Sequence, residues 1–449
     1  MLMSNGKTGG HFMELAVLGI FCLLLLCCVA LGASILWALG AGLALFLLYG
    51  RKQGFSWREL GAEALGGVKS VRNILTIFLL IGMLTALWRA AGTIPMIVCC
   101  AVGFIRPWCF LVMTFLLNCL LSVLTGTSFG TAATMGVICA ALGRAMGIPM
   151  ALTGGAVLSG VYFGDRCSPV STSALLVAEL TGTSVFRNIR RMLRTAAAPF
   201  FLTCGVYALL GVFTAGSGQA PAVDAAFARA FVLHPVTLLP AAAVLLLSLL
   251  QVNVKAVMAA SIALSLPVCV LVQHVPVGDL PRLLALGYRT PDVGLAPMLN
   301  GGGVASMLRV AAIVCISSSY SGIFQKTGLL EPLRRRILAL RRRTSPFAAI
   351  LASAVGAAVI ACNQTLTILL THQLCRGLEE DSERFAVDIE DTAAVVAPLV
   401  PWSIAGAVPL AAIGAPEGSL LLACFLYLLP LWGLACSLHR LSLTNRPAA

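Results

Sequence analysis

Long apolar runs broken by short polar ones dominate the chain. They occupy 14–31, 33–49, 74–91, 108–124, 196–213, 231–250, 256–272, 304–323, 347–361, 393–413 and 419–438. Each is close to the length that an α-helix needs to cross a hydrocarbon layer about 30 Å thick. No water is there to take up backbone N–H and C=O groups, so such runs must become helices. The pattern therefore predicts an all-α polytopic integral membrane protein. The second run follows the first with no polar cleavage segment between them, so the first reads as an uncleaved helix rather than a signal peptide.

Some stretches break the helical pattern at membrane depth. In the first half these are LTGTSFGTAATMG (124–136) and LSGVYFGDRCSPVSTSALLVA (158–178). In the second they are ACNQTLTILLTHQLC (361–375) and DIEDTAAVVAPLVPWSIAG (388–406). Each half thus offers one Thr/Asn-rich break and one acidic, proline-containing segment. Broken helices survive in a bilayer only where the freed backbone groups are buried in protein or line a wet cavity.

The halves also share sequence. Gly66-Gly67-Val68-Lys69-Ser70 recurs as Gly302-Gly303-Val304-Ala305-Ser306, and the same offset of 236 positions carries Gly92 onto Gly328 and Thr127 onto Asn363. Two membrane repeats, 1–215 and 231–449, joined by an extracytoplasmic linker at 216–230, are expected. The helix entered at Gly67 follows the basic loop of Arg51, Lys52 and Arg58, so it starts in the cytoplasm. Its counterpart from Gly303 runs into the arginines at 334–336 and 341–343, so it ends there. Opposite senses make the repeats inverted, an arrangement found in secondary transporters. Both termini are expected in the cytoplasm, and the Pro- and Gly-rich stretch 274–300 reads as an ordinary outer loop.

Composition sharpens this picture. Of 449 residues, 59% are hydrophobic and 10% charged, and the mean hydropathy is +0.97, far from a soluble chain. A net charge of +13 would suit nucleic acid, but the cations sit in short clusters, with Arg187, Arg190, Arg191 and Arg194 forming another. Contact with anionic lipid headgroups accounts for them, and no nucleic-acid partner is expected. The sixteen cysteines include no C-x-x-C and read as small packing residues.

Enzyme chemistry finds little support. Gly126-Thr127-Ser128-Phe129-Gly130 matches the G-x-S-x-G nucleophile elbow, but an elbow needs a preceding strand and a positioned His and acid. Here a membrane helix precedes it, and no motif links any histidine to Ser128. Neither H-E-x-x-H nor a P-loop is present. No cofactor is expected.

Candidate chemistry lies in the breaks. A hard cation such as Na⁺ needs several oxygen ligands, which carboxylates, hydroxyls, amide oxygens and unwound carbonyls supply together. Asp165 is the leading candidate ligand, because an ionisable group beside apolar Val161-Tyr162-Phe163 is costly in a bilayer. A structural pair with Arg166, or a helix cap, is its alternative reading. Ser168, Ser171 and Thr172 add hydroxyls around the following break. Thr127, Ser128, Thr131 and Thr134 either line a cavity or serve small-residue helix packing, and Asn363, Gln364 and Thr367 stand similarly. Glu390 and Asp391 are candidates in the second half, with caps at a helix entrance as the alternative. His372 reads as a packed or interfacial histidine, and 379–383 as a solvated acidic loop.

Four motifs in order resemble the NhaC family of Na⁺/H⁺ antiporters, within the ion transporter superfamily. GTSFGTAATMGV is similar to G-T-S-x-G-T-x-x-T-x-G-V, and SGVYFGDRCSPVS to S-G-A-Y-F-G-D-K-x-S-P-L-S. RNIRRMLRTAAAP resembles H-I-R-x-M-L-x-T, and IEDTAAVVAPLVPWSIAG resembles L-E-D-S-G-T-V-x-x-P-L-I-P-W-N. The resemblance implies an inner-membrane secondary antiporter with inverted repeats, membrane-depth broken or re-entrant hairpins, and alternating access by an elevator-like or rocking movement. Na⁺ and/or H⁺ would be the coupling ions. Relatives in the family exchange organic acids, so a coupled carrier of a small organic solute, a carboxylate or an amino acid, is the alternative. A homodimer is left open. Two positions depart from the family: Thr172 and Asn363 each stand where it commonly carries aspartate.

Overall fold

The computed structural model describes residues 7–31, 33–102, 106–169, 171–214, 223–250, 252–292, 295–327, 345–361 and 363–444. Among them the only β-structure is an isolated bridge between Tyr288 and Gly301. The chain opens with α1 (Lys7–Ala30), α2 (Ile35–Lys52), α3 (Trp57–Ser70) and α4 (Arg72–Ala90). A short α5 (Thr93–Val102) leads to α6 (Pro107–Thr125), then α7 (Ser128–Thr131), a π-helical turn (Ala132–Gly136) and α8 (Val137–Ala145). Next come α9 (Met150–Cys167), α10 (Thr172–Thr181) and α11 (Val185–Thr214). The middle of the chain holds α12 (Val223–Ala230), α13 (Leu239–Leu249), α14 (Val254–Pro267), α15 (Leu280–Leu286), α16 (Ala296–Leu299) and α17 (Leu308–Thr327). The end holds α18 (Pro346–Ala361), α19 (Gln364–Cys375), α20 (Ser382–Val396), α21 (Ile404–Ile413) and α22 (Cys424–Thr444).

Among the described residues six helical stretches are long and apolar enough to cross a membrane: Ile35–Lys52, Arg72–Ala90, Pro107–Thr125, Val185–Thr214, Val254–Val272 and Val304–Phe324. The helices α20 and α21 make a seventh if counted together, bent by 57° at their break. The protein is therefore a polytopic, all-helical membrane protein. Several apolar runs in the sequence become shorter helices, such as Pro346–Ala361, and the single run at 393–413 is the bent pair.

Local chemistry sets the breaks. Gly126 ends α6 at φ 64°, a left-handed conformation that glycine adopts without steric cost. Thr127 then caps α7, its side chain accepting from the Gly130 N–H. Asn363 caps α19 in the same way, accepting from the Leu366 N–H. The other two breaks are also capped by side chains: Ser171 accepts from the Ser173 N–H at the start of α10, and Ser403 from the Ala405 N–H at the start of α21.

These capped breaks give two hairpins. In the first, α8 returns beside α6, and a Cβ added at Gly143 would lie 3.3 Å from Phe110. At its tip the Thr125 and Thr131 hydroxyls are 3.0 Å apart. In the second, α19 returns along α18, bringing Cys375 to Ser353.

Close packing fixes these elements. Along α6 and α9, which run in the same sense, Gly160 faces the Phe115 carbonyl and Gly164 faces Ser122, so the backbones approach as small residues at i and i+4 allow. A second seam joins α3 and α4 to α17 in opposite senses: Gly67 meets Ser318, and Gly82 meets Gly303, whose N–H donates to the Gly82 carbonyl at 2.7 Å. Phe21, Phe46, Tyr320 and Phe324 interlock α1, α2 and α17, with Phe46 and Phe324 ring centres 4.8 Å apart.

Several sequence expectations need correction. Arg187, Arg190, Arg191 and Arg194 lie in the opening turns of α11 and not in a loop, because nothing in the segment opposes helix. Part of the 216–230 linker is helical, as α12, and 274–300 contains α15 and α16. Gly66 and Gly67 lie inside α3, whereas Gly302 and Gly303 have φ of 77° and 80°, so the shared Gly-Gly does not mark one common helix start. The arginines at 334–336 and 341–343, and Gly328, lie outside the described residues.

Candidate functional site

The tips of both hairpins border one cavity of about 470 Å³. Thr127, Ser128 and Phe129 come from the first tip; Asn363, Gln364, Thr365 and Leu366 come from the second. Asp165 and Thr172, at the α9–α10 break, and Ser318 of α17 add further polar groups, and Val71, just before α4, faces it with Ile74 and Ile77 of α4 as apolar side chains. Six of the sequence candidates thus converge: Thr127, Ser128, Asp165, Thr172, Asn363 and Gln364.

Asp165 is the carboxylate of this cavity and is 3% exposed. Its oxygens accept from Ser171 Oγ at 3.0 Å and Ser173 Oγ at 3.3 Å. Gln364 Nε2 approaches it at 3.5 Å, while the same nitrogen donates to the Ala394 carbonyl at 3.0 Å. Gln364 therefore spans from α9 in the first half to α20 in the second. A carboxylate held by hydroxyl and amide donors, with cap residues nearby, is an oxygen-rich pocket for a cation or for a cationic or hydroxylated solute.

Other candidates lie just outside the cavity. Ser171 reaches it only through Asp165. Ser168 ties the break to α6, donating to the Val123 carbonyl at 2.7 Å. Thr131 is buried against Thr125, and Thr367 is buried with its hydroxyl donating to the Asn363 carbonyl at 2.7 Å. Thr134 likewise donates back to the Gly130 carbonyl at 2.8 Å. Thr134 and Thr367 thus bond back into their own helices, and Thr131 ties the first tip to α6.

Glu390 and Asp391 form a separate group. Neither caps a helix entrance; the cap of α20 is Asp381, which accepts from the Glu383 and Arg384 N–H groups, and both acids lie deeper in that helix. Asp391 forms a buried ion pair with Arg166. Arg166 also donates to the Met192 carbonyl at 3.2 Å and Thr195 Oγ1 at 3.0 Å. The carboxylate partner of Arg166 is thus Asp391 rather than its sequence neighbour Asp165: residues i and i+1 on a helix point about 100° apart. The acidic run at 379–383 is partly structural, since Arg191 bonds Asp381 at 2.9 Å and Glu383 at 2.7 Å. His372 packs beside Phe385, ring centres 5.6 Å apart.

Sequence reasoning did not single out Ser173, Ser403 or Tyr162. Tyr162 ties α9 to α21 through the Ala405 carbonyl at 2.6 Å. A readable signal for Ser403 was its place after Pro401-Trp402 at a break, like Ser171 after Pro169.

The sequence also matches known proteins. A family model described as the Na⁺/H⁺ antiporter family matches residues 11–176 and 160–435. The chain is 28% identical over 376 residues to the Na⁺/H⁺ antiporter NhaC of Bacillus subtilis (strain 168), covering 81% of this chain and 83% of the relative. It is 26% identical over 413 residues to a malate-2H⁺/Na⁺-lactate antiporter of the same organism, covering 87% and 86%. It is 27% identical over 379 residues to the arginine/ornithine antiporter ArcD of Halobacterium salinarum, covering 81% and 78%.

Proposed function

We propose, from the premise that this chain belongs to the Na⁺/H⁺ antiporter family, that it is a secondary active antiporter working by alternating access, with Na⁺ and/or H⁺ as coupling ions. Its cation site is the cavity between the two hairpin tips, and Asp165 is the charged ligand. The observation that carries this reading is the meeting of Thr127, Ser128, Asn363 and Gln364 at a cavity that also holds Asp165. Hydroxyl and amide oxygens with a single carboxylate suit a monovalent cation that must bind and leave. Inverted repeats fit the antiparallel seam of α3 and α4 with α17 and the matching caps at Thr127 and Asn363. The protein would lie in a bacterial inner membrane with both termini and the arginine clusters in the cytoplasm.

One observation favours the second reading, a Na⁺- or H⁺-coupled exchanger of a small organic carboxylate or amino acid. A cavity of about 470 Å³ is far larger than a dehydrated Na⁺ needs and falls in the range of small-molecule pockets. In proteoliposomes, a pH gradient should drive Na⁺ movement under the first reading, and labelled solute movement under the second. Asp165→Asn should abolish either activity with the protein still folded and inserted; undiminished transport would remove Asp165 from the site.

A further inference from the structure

The structure holds a second cavity, of about 460 Å³, that shares no lining residue with the Asp165 cavity. Arg191, Arg194 and Arg384 stand around it, and Asp388 and Asp391 also line it. Asp391 joins it to the buried pair with Arg166. Next to this pair is Glu390, 1% exposed, with both carboxyl oxygens lacking a hydrogen-bond partner among the described residues. Arg166 Nε is buried and equally unpartnered, its terminal nitrogen being committed to Asp391, Met192 and Thr195. The titratable and charged groups acting on Glu390 are Asp165, Arg166 and Cys167 on α9 and Asp391 on its own helix. Of the helices that also pack on α20, α11 brings Arg191 and Arg194, which line the second cavity with Arg384 and Asp388 of α20 itself, and α19 brings His372 beside Phe385.

One guanidinium therefore serves two buried carboxyls, and its contacts favour Asp391. An ionised carboxylate left at that depth with no donor would carry the full penalty of its lost hydration. Charge balance is restored by one proton, and the carboxyl without donors is the one to hold it. We propose that Glu390 is a proton-carrying site of its own, distinct from the Asp165 cavity, and that it exchanges its proton with the cytoplasm through the second cavity, past the Arg166–Asp391 pair. On release, the Glu390 O–H bond breaks, the proton passes to water in that cavity, and the new carboxylate is met by the free Arg166 Nε–H. The added negative charge lies beside the helix turn that carries Asp165, so it strengthens cation binding there. By reciprocity, a cation at Asp165 favours proton loss from Glu390. Exchange then needs no ligand common to the two ions. The coupling half of this inference rests on the antiporter reading; the proton site itself does not.

Two measurements test it. Infrared difference spectra of the purified protein near neutral pH should show a protonated carboxyl band that is lost in Glu390→Gln and retained in Asp165→Asn. A band unaffected by Glu390→Gln overturns the proposal, whatever the protein transports. In proteoliposomes, Glu390→Gln should lose Na⁺ movement driven by a pH gradient but keep Na⁺/Na⁺ isotope exchange, and Glu390→Asp should restore coupling with a shifted pH profile. Loss of both activities in a folded Glu390→Gln protein would make Glu390 part of the cation site and overturn its separateness. If the wild-type protein moves no Na⁺ at all, the Na⁺ reading fails, and the infrared result still decides the proton site.

Discussion

Asp165 and its neighbours show how few groups carry the site's charge. Thr172 and Asn363 line the same cavity as Asp165 and are neutral. Replacing both, Thr172→Asp with Asn363→Asp, should tighten Na⁺ binding and steepen its pH dependence, read by Na⁺ titration at several pH values. Unchanged Na⁺ dependence would show that these positions do not reach the ion. Arg191 lines the second cavity, and its hydrogen bond to Asp381 holds that carboxyl below the usual carboxylate range. A lowered folded value means that this tie contributes stability above the unfolded value and loses it as pH falls through the folded one. Arg191→Ala should therefore lower the melting temperature slightly near neutral pH, and the difference from wild type should vanish in strong acid. The Asp165 candidate was legible in the sequence because a lone acid among apolar residues has few explanations. The partner of Arg166 was not, since it stands 225 positions away on another helix and only packing brings it close.

At the scale of elements, both hairpins owe their tips to residues that stop one helix and cap the next. Those stops were visible as Gly-Thr and Asn-Gln inside apolar runs. Helix lengths were less visible, because apolar composition continues through the bend between α20 and α21 and polar composition does not interrupt α11. The same limit hid the separation of Glu390 and Asp391 from the cavity: a segment's sequence names its residues but not the rotation of its helix against its neighbours. Close approach of α6 and α9 depends on Gly160, where an added Cβ would come 2.6 Å from the Phe115 carbonyl. Backbone cannot yield as a flexible side chain can, so Gly160→Ile should destabilise the folded protein by about 1–3 kcal/mol or more. A melting curve in detergent that matches wild type would show that the two helices part at little cost.

At the scale of the whole molecule, the cavity belongs to neither half. Its polar lining includes both hairpin tips, which lie more than two hundred residues apart in the chain, and Gln364 reaches from its own hairpin to both Asp165 and the Ala394 carbonyl. This has a consequence for biogenesis. The first hairpin leaves the ribosome long before the second, so for the interval of synthesis Thr127, Ser128 and Asp165 lack the surface that will enclose them. An unshielded polar tip in a bilayer is costly, which favours a first half that stays incompletely inserted, or held by the insertion machinery, until the second arrives. Residues 1–215 expressed alone should accumulate poorly and be degraded, and co-expression with 216–449 should rescue them, as pulse-chase labelling would record. Stable accumulation of the lone first half would mean that its tip finds shelter without its partner, and that insertion of the two halves is sequential rather than cooperative.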